Sequence, residues 1–206
     1  MLLIDLIDSK LPQTQCKRCN YKDCKSYAKA LVDKKAEINK CKTGGQKVMQ
    51  SLAKLLNKKI SSFNQTDEEY SIATIKEDLC IGCMKCIEVC PVDAIIGTKK
   101  MMHSVISQEC TGCKLCLKSC PMDCIYMTPS SYFRDKCQSN HYQEIQRKIF
   151  KNRYKEKKLR KAKKIYLQNK KYKKYNVLEN TKIKQNERKK FIKNACQRYK
   201  EKINSL

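Results

Sequence analysis

The sequence predicts an α+β fold made of a small helical module with four cysteines, a cysteine-rich domain with an internal pseudo-twofold repeat, and a basic C-terminal tail. Three observations predict it: fifteen cysteines concentrated in two groups, a repeat with a period of thirty residues, and an uneven distribution of basic residues. We expect the four-cysteine module at 1–56, a linker at 57–71, the repeat domain at 72–129 and the tail at 130–206.

The cysteine content points to metal binding in a reducing compartment. Fifteen is an odd number, so these cysteines cannot all pair within the chain as disulfides. The first eight residues contain two acids and no basic residue, unlike a secretory signal. Without such a signal, closely spaced cysteines are more typical of metal sites. No run of about 18 consecutive apolar residues occurs, so we predict no transmembrane helix in this chain.

The repeat domain consists of two copies of one motif. Residues 80–95 align with 110–125, and both copies read C-x2-C-x2-C-x3-C-P with a glycine before the second cysteine. One copy is too short to bury a core, so we expect the two to pack about a pseudo-twofold axis. Apolar runs at 72–75, 94–96, 104–107 and 125–127 predict short strands. A helical turn is expected at 86–90 and again at 116–120.

This spacing is typical of a bacterial two-cluster ferredoxin, in which the fourth cysteine of each copy binds the other [4Fe–4S] cluster. Zinc sites usually combine two C-x2-C pairs across a longer spacer, so zinc fits poorly here. A cluster with four thiolate ligands leaves no iron open to a substrate, which favours electron relay over catalysis. We predict one cluster on Cys80, Cys83, Cys86 and Cys120. We predict the other on Cys110, Cys113, Cys116 and Cys90.

The remaining cysteines and histidines of the repeat domain and tail lack ligand spacing. Cys124 aligns with an alanine of the first copy, and we expect a small buried residue there. Cys137 and Cys196 stand alone in the tail. We expect His103 and His141 to be structural or solvated, and not ligands.

A second cysteine group lies near the N-terminus. Its spacing, C-x2-C-x4-C-x16-C, suits either zinc or a third iron–sulfur cluster. Basic residues in its loop would ease the accumulation of thiolate charge. Spacing alone leaves both metals open for the ligands Cys16, Cys19, Cys24 and Cys41.

The tail carries most of the chain's net charge of +26. Residues 137–206 hold 24 Lys and Arg against 5 Asp and Glu, and 130–206 contain no Gly or Pro. We expect a largely helical or disordered segment. Its charge suits an anionic membrane surface, an acidic partner or nucleic acid, and we consider nucleic acid the least favoured. Biased genome composition explains the same lysine content without any function.

Three stretches resemble a known family: LPQTQCKRCNYKDCKSYAKA, EINKCKTGGQKVMQSLAKLLN and the segment from CIGCMKC to SCPMDCI. From Leu11 to Thr128 the chain resembles the iron–sulfur electron-transfer component, component B, of the Rnf ion-translocating electron transport complex of bacteria. The resemblance implies that the N-terminal cysteines hold a third [4Fe–4S] cluster. It further implies an electron relay from an NADH-oxidising subunit toward flavin-bearing membrane subunits, coupled to ion movement.

The sequence departs from this family in three places. The family begins with a membrane-spanning helix, whereas this chain begins where that helix ends. Family glycines are replaced by Lys17, Asn20 and Asp23, and the basic tail differs from the family's short end. We therefore expect peripheral attachment to the cytoplasmic face of the inner membrane, through other subunits or the tail. A free soluble ferredoxin-type carrier is the alternative, and a nucleic-acid-binding protein with structural clusters is less favoured.

Overall fold

The computed structural model describes residues 2–60, 70–130, 139–179 and 182–203. Most of the predicted linker and Cys137 lie outside the described residues. The chain divides into two compact units, Met1–Lys157 and Lys158–Leu206. The first unit contains all the cysteines of the two predicted metal-binding regions.

Three helices form the N-terminal module: α1 (Leu3–Lys10), α2 (Cys24–Val32) and α3 (Gly45–Leu56). Helix α2 begins at Cys24 because the side chain of Asp23 accepts a hydrogen bond from the Ser26 amide at 2.8 Å. Helix α3 is followed by Asn57, which adopts the left-handed conformation common after helices. The apolar faces meet in a small core formed by Ile7, Leu11, Tyr27, Leu31, Ile38, Met49 and Leu52.

Two antiparallel strand pairs frame the repeat domain. Strand β1 (Ser71–Ile75) pairs with the last strand, β4 (Ile125–Pro129). Strand β2 (Ile95–Ile96) pairs with β3 (Ser104–Val105). Both inner strands are shorter than the predicted runs. Strand β3 ends early because a 3₁₀ turn begins at Ser107.

A short helical segment follows each cysteine loop of the repeat domain. Helix α4 (Lys85–Val89) follows the first loop, and a 3₁₀ turn at Leu117–Ser119 follows the second. Both segments end immediately before a cysteine and a proline. The fourth cysteine of each copy is thereby turned away from the three in its loop.

The tail forms two long helices, α5 (Asn140–Glu179) and α6 (Lys182–Ile203). The first turns of α5 belong to the first compact unit, and Phe150 is buried there in the core of the repeat domain. Phe150 is buried although α5 has no apolar stripe along its length. Within the described ranges, no helix is long and apolar enough to cross a membrane.

Candidate iron–sulfur centres

The cysteines predicted as ligands line three cavities, four cysteines to each. The empty space at each cavity, including the part that is open solvent, amounts to about 270–340 Å³. The Cys80 cavity is lined by Cys80, Cys83, Cys86 and Cys120. The Cys90 cavity is lined by Cys90, Cys110, Cys113 and Cys116. The Cys16 cavity is lined by Cys16, Cys19, Cys24 and Cys41.

In each of the three sets, the four cysteines surround one cavity. Among the described residues, no three His, Cys, Asp or Glu side chains are arranged to bind a single metal ion. A cube of iron and sulfide binds one thiolate at each of four corners. Four cysteines around one cavity provide the donor set that such a cube needs.

Two glycines allow the cysteine loops of the repeat domain to curl. Gly82 and Gly112 both have a φ of +65°, which is strained for residues with a side chain. A Cβ at Gly82 would lie 2.5 Å from the backbone of Met101, and one at Gly112 would lie 2.5 Å from the Ser71 carbonyl oxygen. The two contacts are equivalent in the two copies of the repeat. Gly112 lies thirty residues after Gly82, and Met101 lies thirty residues after Ser71.

Replacing Gly82 by alanine is expected to lower the free energy of unfolding by about 2–4 kcal/mol, through backbone strain and the clash with Met101. Urea denaturation of the anaerobic protein measures this. Lys99→Ala is the control, because Lys99 is exposed in the same region and its loss should cost less than about 0.5 kcal/mol. An unchanged midpoint for Gly82→Ala would contradict the close approach of the two backbone segments.

Backbone amides face the sulfurs of three predicted ligands. The His103 amide donates to Cys80 Sγ at 3.4 Å, and the Ala73 amide donates to Cys110 Sγ at 3.5 Å. The Ala94 amide donates to Cys90 Sγ at 3.3 Å. Hydrogen bonds of this kind stabilise a thiolate and raise the reduction potential of a cluster bound to it.

His103 is a site residue that sequence reasoning did not identify. Its side chain is 1% exposed and lines the Cys80 cavity, with Nδ1 3.3 Å from Cys86 Sγ. Burial rules out a solvated role for His103, whereas His141 is exposed. The available signal was Gly97, since a Cβ there would lie 2.3 Å from the imidazole Cδ2. This glycine makes room for the ring.

Burial keeps several of these thiols protonated in the absence of metal. It raises the pKa of Cys41 to about 12, that of Cys116 to about 12 and that of Cys113 to about 11. It also raises the pKa of Cys86 to about 11. Binding of iron must therefore displace protons, as at other thiolate metal sites.

The N-terminal loop adopts a backbone conformation that glycine favours at two positions where other residues stand. Lys17 has a φ of 59° and Asn20 a φ of 65°, both in the left-handed region. Asparagine tolerates this region better than lysine does. Asp23 is extended and caps α2, a task for which glycine has no side chain. Residues other than glycine therefore support the curled shape of this loop.

Cys124 lies beside the Cys80 cavity as a fifth thiol. It is 3% exposed, and its sulfur is 3.3 Å from that of Cys120. The predicted burial is therefore observed, and the residue also lines the cavity. Elsewhere, Cys196 is exposed on α6.

The N-terminal module touches the repeat domain at the Cys90 cavity. The Thr111 hydroxyl donates to the Thr14 carbonyl oxygen at 3.2 Å. Thr111 lines the Cys90 cavity and Thr14 lines the Cys16 cavity. The linings of these two cavities are therefore in contact through this hydrogen bond.

Two protein-family models match the cysteine-rich regions. Residues 73–127 match the "4Fe-4S dicluster domain", and residues 11–43 match the family described as "Putative Fe-S cluster". These ranges contain the ligands predicted for all three sites. No solved structure gave a significant match.

Curated relatives match about half of the chain, and each is component B of an "Ion-translocating oxidoreductase complex". The Haemophilus ducreyi protein is 48% identical over 51% of this chain and 51% of its own length. The Azoarcus sp. protein is 48% identical over 50% of this chain and 58% of its own. The Aliivibrio salmonicida protein is 54% identical over 52% and 56%.

The chain thus spans about half the length of the curated relatives it matches. The two family models together cover both cysteine-rich regions and end before the basic tail. The predicted resemblance is confirmed: over about half its length, this chain is similar to component B of ion-translocating oxidoreductase complexes.

Proposed function

We propose that this chain is the electron-relay subunit of a membrane-associated ion-translocating oxidoreductase and holds three [4Fe–4S] clusters. The observation that carries the proposal is the grouping of twelve cysteines around three cavities. Such clusters, when bound, accept and release one electron at a time. The proposed ligands of each cluster are the four predicted cysteines that line the Cys16, Cys80 or Cys90 cavity.

The protein's own residues bind and insulate these groups. All four ligand positions of each site come from thiolates, which leaves no metal position for a substrate. Buried apolar residues such as Val92 and Ile125 surround the two sites of the repeat domain. Amides from the strands and inner loops direct hydrogen bonds to the sulfurs. This arrangement suits transfer between partners more than conversion of a substrate.

The contact between Thr14 and Thr111 supports a linear order of transfer. The Cys90 cavity neighbours the Cys16 cavity through this contact, and it shares the small core of the repeat domain with the Cys80 cavity. The Cys90 site is therefore proposed as the middle member of the relay. Electrons enter or leave through the two outer sites.

The partners are the other subunits of the complex, with the donor an NADH-oxidising subunit and the acceptor a membrane flavin subunit. The relatives' names support membership in an ion-translocating complex. We place the chain at the cytoplasmic face of the inner membrane, with the basic tail on anionic lipid. Most of the tail beyond Lys157 that has described side chains is exposed and lysine-rich, as such contact requires.

Metal analysis and EPR of anaerobically reconstituted protein test the function. We expect about twelve irons per chain and three reducible clusters, since each cluster contributes four irons. About eight irons with one zinc would mean that the Cys16 site holds zinc. Zinc at all three sites, with no low-temperature EPR signal after dithionite reduction, would overturn the electron-relay proposal.

A further inference from the structure

The first turns of α5 pack on both cysteine-rich regions of the same compact unit. Phe150 is 4% exposed in the core of the repeat domain. Lys151 pairs with the buried carboxylate of Asp8 in the N-terminal module at 2.5 Å. Tyr154 donates to the carboxylate of Asp23, which caps the helix that starts at Cys24. The helix therefore reaches the region where the Cys16 and Cys90 cavities adjoin.

Lys157, at the end of this unit, contacts a predicted cluster ligand directly. Its ammonium donates to the carbonyl oxygens of Cys90 and of Ile87, the latter at 2.8 Å. It also pairs with the Asp93 carboxylate at 2.7 Å, and the residue is 7% exposed. All three of its donors are thus engaged, which is how a buried charge is tolerated.

Arg153, one turn earlier, binds the same segment. Its Nε donates to the Val92 carbonyl oxygen at 2.7 Å, and an Nη donates to that of Asp93 at 3.4 Å. It also pairs with Glu109, the residue before Cys110. Two cations on one helix face therefore hold residues 90–93, the segment that supplies the crossing thiolate.

The second copy of the repeat differs at this point. The residues equivalent to Ile87, Cys90 and Asp93 are Leu117, Cys120 and Asp123. Within the described residues, no lysine or arginine is seen bonded to these three. The two clusters of the repeat domain would therefore have the same ligands but different electrostatic surroundings.

We propose that Lys157 sets the reduction potential of the cluster at the Cys90 site, an inference that rests on the proposed function. Reduction adds negative charge to a group already surrounded by thiolates. A buried ammonium at the Cys90 carbonyl stabilises the reduced form more than the oxidised form, because the surroundings have a low dielectric constant. Arg153 is a positioning residue that fixes the segment to which Lys157 binds. The tail thus contributes a residue to the relay itself.

Redox titration of the full chain, followed by EPR, tests the role of Lys157. In Lys157→Met, one of the three reduction steps should move to a more negative potential while the other two stay in place. We expect the reduced-to-oxidised ratio of that cluster at a fixed potential to fall by on the order of tenfold, which corresponds to about 59 mV. Asp93→Asn should move the same step in the opposite direction, and Lys157→Arg should restore it.

Lys155→Met is the matched control, because Lys155 is exposed on the same helix. All three steps should keep their wild-type potentials in this variant. The inference would be overturned if the Lys157→Met and Asp93→Asn proteins kept the wild-type reduction potentials, or if all three steps shifted equally. Either result would leave the proposed function intact. If Lys157→Met loses iron, the reduction potentials of the Asp93→Asn and Lys157→Arg proteins decide whether Lys157 sets the potential. Wild-type protein without reducible clusters would overturn the proposed function and this inference together.

Discussion

Protein carrying Cys90→Ala with Cys110→Ala is expected to lose about four irons per chain, whereas Cys90→Ala with Cys80→Ala should lose about eight. The first pair removes two ligands of one site, although the residues belong to different copies of the repeat. The second pair removes one ligand from each of two sites, although both residues belong to the same copy. Iron analysis after anaerobic reconstitution measures the difference.

The crossed arrangement makes this pair of variants decisive. If each copy bound its own cluster, the losses would be reversed: about eight irons for Cys90 with Cys110 and about four for Cys90 with Cys80. The single variant Cys90→Ala serves as the control and should match the Cys90/Cys110 protein. Variants at Cys120 are less suitable, because the sulfur of Cys124 lies only 3.3 Å away and is placed to substitute for it.

Replacing Phe150 by alanine is expected to lower the free energy of unfolding of the first unit by about 3–5 kcal/mol. The ring is 4% exposed among apolar residues of the repeat domain, so its loss leaves a cavity. A chain ending at residue 139 should lose at least as much stability, because it also lacks Lys151, Arg153 and Lys157. Urea denaturation of the reconstituted protein measures both effects.

Two controls separate docking of α5 from the rest of the tail. Ile149→Ala should change the stability by less than about 0.5 kcal/mol, because Ile149 is 41% exposed. A chain ending at residue 164 should unfold at the same urea concentration as the full chain, since it keeps the whole docked segment. Equal loss of stability in the two truncated chains would contradict a boundary near Lys157.

Much of the fold and of the candidate sites could be predicted from cysteine spacing. The C-x2-C-x2-C-x3-C-P motif restricts the loop so strongly that the strands, the short helices and the four-cysteine sets follow from it. The helix after Gly44 was equally predictable, because Val48, Leu52 and Leu55 recur at helical spacing. Local patterns of this kind depend only on residues close together in the chain.

The missed features depend on contacts between distant residues. Docking of α5 rests on Phe150 and on cations that bind carbonyl oxygens 61 and 70 residues earlier, and no periodicity reveals such contacts. The role of His103 depends on the turn that brings it to Cys86. The left-handed conformation of Lys17 could not be predicted either, because lysine gives no sign of it. Tertiary contacts fix these positions against local preference.

The backbone amides of Ala73, Ala94 and His103 donate to cysteine sulfurs. Every residue other than proline supplies such an N–H, whatever its side chain. The electronic environment of these sulfurs is therefore largely independent of amino-acid identity at the donor positions. A gene drifting toward lysine, asparagine and isoleucine codons can replace many surrounding side chains without removing these donors. These hydrogen bonds to sulfur therefore tolerate substitution at the donor positions, and they depend on the path of the backbone.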